Sequence, residues 1–187
     1  MPMPPESHRL RPDHLPTPFS AAQIRAGCPA GRTIRIRDDA AGEEPSYRRI
    51  VFVEVDAESA VQEFQPTDAD GRPIGEPTPR RSSWLDLQRH ASQPTDATSV
   101  REVALDLPFG RFDCWLYTVL RPDAELRFWF AKELAGMPVQ VEEWVRGALA
   151  GRSLMVADDR SPVGSAQGGS RWGMPVEKDA SASKSRG

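Results

Sequence analysis

The sequence predicts a mainly β protein of the α+β class: an antiparallel sheet of about eight strands packed on one or two short helices. Three observations predict it. From Arg32 onward, apolar and polar residues alternate in short runs. The runs follow one another across brief turn-forming segments, too short for the crossovers that parallel strands need. Helix-start signals stand out at two places, Ser20 and Ser83.

Taken in order, residues 1–18 carry six prolines and little apolar periodicity, which reads as an extended, disordered arm. "FSAAQIRAGCP" gives a short helix: Ser20 caps it, Gln23 completes a capping box, and Gly27 with Pro29 stops it. "RTIRIRD" alternates Ile34 and Ile36 with Arg35 and Arg37, a half-buried strand. "YRRIVFVEVD" is more apolar and belongs near the sheet centre, and "SAVQEFQ" is a weaker third strand. "TDADGRPIGEPTPRR" reads as a long loop, because Gly and Pro recur throughout it.

"SSWLDLQRHA" is the second helix, with Ser83 as cap, Asp86 at the box position, and Trp84, Leu87 and Ala91 on one face. Strands resume in "VREVALDL", "RFDCWLYTVL", "ELRFWFAK", "VQVEEWVRG" and "RSLMVA". The folded domain therefore spans 19–157, and the low-complexity residues 158–187 read as a disordered tail.

In the C-terminal half, alternation places Trp115 and Tyr117 opposite Cys114 and Leu116, and Trp129 opposite Phe128 and Phe130. Trp144 likewise sits among Gln140, Glu142 and Arg146. Three strands thus direct an indole away from their aliphatic residues. A solvated face has no need of three indoles, so this pattern predicts a cover. The Trp84 helix is one such cover. The other is a ligand: Trp84, Trp115, Tyr117, Trp129 and Trp144 become candidate ligand-binding residues whose N–H and O–H groups give polar handles to a groove.

The chemistry of common enzymes is missing. Cys114 lies between Phe112 and Leu116 as a buried thiol, and Cys28 follows the end of the first helix, where the dipole disfavours a thiolate. His8 and His14 fall in the arm, leaving His90 in the domain; with two separated cysteines it makes no zinc site. "PTDADGRPIGEP" fails as a calcium loop, because aligning Gly71 with the required glycine puts Pro66 and Pro77 at ligand positions. No phosphate loop, nucleophile elbow or dinucleotide fingerprint occurs. No catalytic residue, metal or cofactor is therefore assigned.

A net charge of −3 without a long basic run argues against nucleic acid. No apolar run reaches the length of a membrane span. The opening residues lack the apolar stretch of a signal peptide, so a cytoplasmic location with two free thiols is expected.

"GRFDCWLYTV", "RFWFAKELAGMPVQVE" and the helix between the earlier and later strands resemble an uncharacterised bacterial β-rich family. That family is similar in outline to the lipoprotein-carrier and lipoprotein-localisation sheets. The resemblance covers about residues 18–157. It implies a curved antiparallel sheet wrapped around a helix, with an apolar cavity between them. Three function classes follow. The first is a non-enzymatic binding or interaction module, its partner an apolar small molecule or a protein. The second is a small hydrolase-like enzyme using His90 and Asp113 in the same concavity. The third is a structural accessory protein.

Overall fold

The computed structural model describes residues 3–160; of the tail expected over 158–187, Asp158 and Asp159 instead end the last strand, and residues 161–187 lie outside the described residues. Nine strands, one more than expected, form a single antiparallel sheet. They are β1 (Thr33–Ala40), β2 (Ser46–Val55), β3 (Ser59–Thr67), β4 (Thr78–Ser83), β5 (Thr98–Leu107), β6 (Gly110–Leu120), β7 (Ala124–Ala131), β8 (Gln140–Val145) and β9 (Ala148–Asp159). The spatial order is β4-β3-β2-β1-β9-β8-β7-β6-β5. Two meanders thus meet where the first strand pairs with the last. Register shifts at Arg35/Ile36, Phe52/Glu54 and Glu143/Trp144 add the local twist that bends a large sheet.

The ninth strand is β4, which begins inside the segment expected to be a loop and ends on Ser82 and Ser83, ahead of the second helix. Pro79 and the Arg80-Arg81 pair disguise it. It is an edge strand, where a residue lacking an N–H can leave the ladder intact.

Both helices follow the sequence. α1 (Ala21–Gly27) begins with a complete capping box between Ser20 and Gln23. α2 (Trp84–Arg89) is capped by the Ser83 hydroxyl, which accepts from the Asp86 N–H. The helices pack together on one face of the sheet, hereafter the inner face.

The proline-rich arm is not disordered where it is described. After a 3-10 turn at Glu6–His8 it crosses the inner face, with Leu15, Pro16, Thr17, Pro18 and Phe19 buried. Leu15 N–H donates to Gln93 O and Thr95 N–H donates to Asp13 O, each at 2.9 Å, so the arm is stitched to the segment after α2. Its prolines contribute carbonyls and apolar surface while costing little chain entropy.

Partners in an antiparallel ladder share a face, so register identifies both faces. Phe52 pairs with Gln62, Ile34 with Ile50, Ile36 with Met155, Tyr117 with Phe128, and Trp115 with Phe130. All of these point inward. Leu116–Trp129–Gln140–Leu154 and Arg127–Glu142–Arg152 run across the outer face.

Candidate functional site

The inner face encloses an apolar cavity of about 240 Å³ between the sheet and the helix pair. Ile34 and Phe52 form its floor on one side, Phe128 and Phe130 on the other; Ile24 and Leu87 supply the roof. Met137 and Pro138, from the β7–β8 connection, close the side. The volume exceeds the ~150 Å³ apolar cavity that suffices to bind benzene, so it can hold a small organic molecule.

Behind two of the lining residues, Cys28 and Gly136, lies a buried ion pair. The Arg32 guanidinium, fully buried, donates from Nε to Asp158 Oδ1 at 2.8 Å and from Nη2 to Oδ2 at 3.1 Å. Its Nη1 donates to the carbonyls of Gly27 at 2.9 Å and Ala135 at 2.7 Å, and lies 3.1 Å from Cys28 Sγ. One side chain therefore joins the end of α1, the start of β1, the end of β9 and the β7–β8 connection. Two glycines make room for it. A Cβ on Gly27 would meet Ala135 O at 2.8 Å, and one on Gly136, at φ 137°, would meet Nη1 at 3.1 Å. Burial pushes the Cys28 thiol up, against the pull of the neighbouring guanidinium, so this cysteine is no thiolate nucleophile.

Two polar groups line the cavity besides Cys28: His90, exposed at its mouth, and Gln62 within. Gln62 stands apart from the other buried glutamines of the described residues. Gln65 donates to Gly75 O, Gln88 donates to Thr17 Oγ1 and accepts from Ala21 N–H, and Gln140 donates to Glu142. Gln62 as a residue is 8% exposed, and its side chain makes no hydrogen bond to the protein. Its amide opens onto the cavity, a polar donor and acceptor set in an otherwise apolar wall and free to meet whatever fills that space.

The five aromatic residues singled out from sequence do not form one groove. Trp84 is buried in α2, its Nε1 donating to Asp56 O at 3.1 Å, and belongs to the cover itself. Trp115 and Tyr117 lie on the inner face with Phe128 and Phe130. The Tyr117 hydroxyl donates to Pro16 O at 2.6 Å, and Lys132 Nζ sits 4.1 Å from the Trp115 ring centroid. Trp129 and Trp144 lie on the outer face. There Trp144 Nε1 donates to Glu142 Oε2 at 2.9 Å, and Arg127 stacks 4.8 Å from the Trp144 ring. The expected common face fails on register: Trp115 pairs with Phe130, while Trp129 pairs with Leu116. None of the five lines the cavity.

Of the two residues considered for catalysis, His90 reaches the cavity mouth and Asp113 does not line it. Among the described residues no group of three or more His, Cys, Asp or Glu is placed to hold a metal ion. No helix there is long and apolar enough to cross a membrane.

No protein-family model matches the chain, and no curated protein matches it either. Solved structures do. The chain is similar to a structure of the Pseudomonas aeruginosa MucA/MucB complex, with a TM-score of 0.50 and 10% identity over 73% of this chain. It spans 54% of that neighbour's length. A second match, a crystal structure of MucB, has a TM-score of 0.47 and 9% identity, covering 74% of this chain and 56% of that one. At such identity the likeness concerns the fold: a β-rich sheet of a kind seen in a bacterial protein.

Proposed function

We propose that the protein is a non-enzymatic binding module whose site is the inner-face cavity and whose ligand is a small, largely apolar molecule. The observation carrying this reading is a volume of about 240 Å³, walled by Ile24, Ile34, Phe52, Leu87, Phe128 and Phe130, in a core otherwise closed by helices and arm. Interiors ordinarily fill such space, since an empty apolar cavity forfeits dispersion contacts on every wall. The resemblance to lipoprotein-carrier sheets points the same way, towards an apolar guest between sheet and helix.

Binding of the apolar dye N-phenyl-1-naphthylamine tests it. The dye should brighten with wild type. Met137→Trp, which narrows the cavity from its connecting loop, should weaken binding at least tenfold. Trp144→Ala on the outer face should leave it unchanged. Absence of dye binding to the wild type, or a loss confined to Trp144→Ala, would refute the reading.

A second reading, a module that engages a protein, has a specific observation of its own. β5 is an unpaired edge ten residues long, free of proline, whereas the opposite edge is blunted by Pro79, Arg80 and Arg81. The matched structure of MucA with MucB is itself a protein complex.

A further inference from the structure

We infer that Gln62 is the recognition point for a polar group on the cavity ligand, so that the ligand is an apolar molecule bearing one carboxamide or carboxylic-acid group. The inference rests on the cavity reading and adds the chemistry of the guest. Gln62 occupies the apolar phase of β3, between Ala60 and Phe64, where alternation calls for an aliphatic residue. Its ladder neighbours offer its amide nothing. Phe52 on β2 is apolar, and Arg80 on β4 lies over the Phe64 ring, 5.9 Å from its centroid.

The other three buried glutamines are each tied to a backbone or side-chain partner, which shows what this fold does with an amide it buries for structure. Gln62 is as buried as they are, at 8% exposure, yet it faces the cavity unpaired. A primary amide presents a donor and an acceptor side by side. Its complement is a group with the same pair reversed, which a carboxamide or a protonated carboxylic acid provides through two parallel hydrogen bonds. A plain hydrocarbon would fill the volume and leave the amide unpaired, and sites with buried polar groups discriminate against ligands of that kind.

The test compares two ligands of similar size, 3-phenylpropanamide and n-butylbenzene, each titrated as a competitor of N-phenyl-1-naphthylamine. The quantity read is the ratio of their dissociation constants in wild type and in Gln62→Leu. Replacing the amide by an aliphatic side chain should shift that ratio at least tenfold towards the hydrocarbon. Gln62→Met serves as a second variant should Gln62→Leu fail to fold. An unchanged ratio, with both ligands still displacing dye, would mean that cavity water alone serves Gln62 and would overturn the inference while sparing the cavity. Failure of wild type to bind the dye or either ligand would bring down the cavity reading itself.

Discussion

Where residues 8–19 cross β6 and β7, polar groups and rings interlock. Tyr117 donates to Pro16 O; Thr17 donates to His8 O and Phe19 O; Gln88 Nε2 donates to Thr17 Oγ1 and to His8 O. Phe130 meets Phe19 and Tyr117 edge-on at 6.4 and 5.6 Å. Beneath α1 and α2, on the same face of the same sheet, the walls stand apart and one amide goes unpaired. The same face of one sheet thus carries both a closely packed arm and an open apolar space.

The comparison breaks most severely at Arg32. Arg32→Met should lower stability by about 3 kcal/mol, because it strands the Asp158 carboxylate, 2% exposed, with Arg160 as its one remaining cation among the described residues. Urea unfolding would show the loss. Since Gly27 and Ala135 lose their shared donor as well, dye affinity should fall too, which tests whether the cavity wall at Cys28 and Gly136 needs that anchor.

Tyr117→Phe should cost about 1–2 kcal/mol by leaving Pro16 O unserved, and it should speed tryptic cleavage after Arg9 in the arm. Dye binding should not change. Equal loss of dye binding would show that the two halves are coupled after all.

A smaller effect concerns alkaline pH. Burial, aided by Asp113, pushes the Cys114 thiol from 9.0 up to about 11. The folded state therefore holds its proton where the unfolded chain releases it. Stability from this group is intact below pH 9 and declines as pH rises towards 11, by about 1 kcal/mol. Burial raises the Tyr117 hydroxyl as well, so its contribution also declines at high pH, beginning above the ordinary tyrosine range. Cys114→Val should flatten the first part of that slope in urea midpoints measured across pH. The smallest effect belongs to the outer face: Trp144→Ala should change stability by about 0.5 kcal/mol, since its contacts with Arg127 and Glu142 are half-exposed and screened by solvent.

Much of this architecture was legible before any coordinates. Ser20-x-x-Gln23 and Ser83 located both helices because capping chemistry is local. Ile34–Ile36 and the Phe128–Phe130 run located strands because alternation is local too. What failed was not local. One residue of offset decides whether Trp115 sits opposite Phe130 or Trp129, and nothing within either strand encodes that choice. The arm was misjudged because composition counts prolines and does not see their carbonyls accepting bonds from Tyr117 or their rings filling a sheet face. Gln62 was within reach: a glutamine in the apolar phase of "AVQEF" breaks the pattern, and a break of that kind often marks function.

The position of β9 bears on how the chain reaches this state. Its partners are β1, more than a hundred residues earlier, and β8, immediately before it. Until that last segment leaves the ribosome, the four early strands and the four later ones have no shared ladder, and Arg32 has no carboxylate to meet. β9 must be made before the two meanders can join. A released chain truncated near residue 147 would therefore hold two unjoined half-sheets, each with a raw edge where the middle of the nine-stranded sheet belongs.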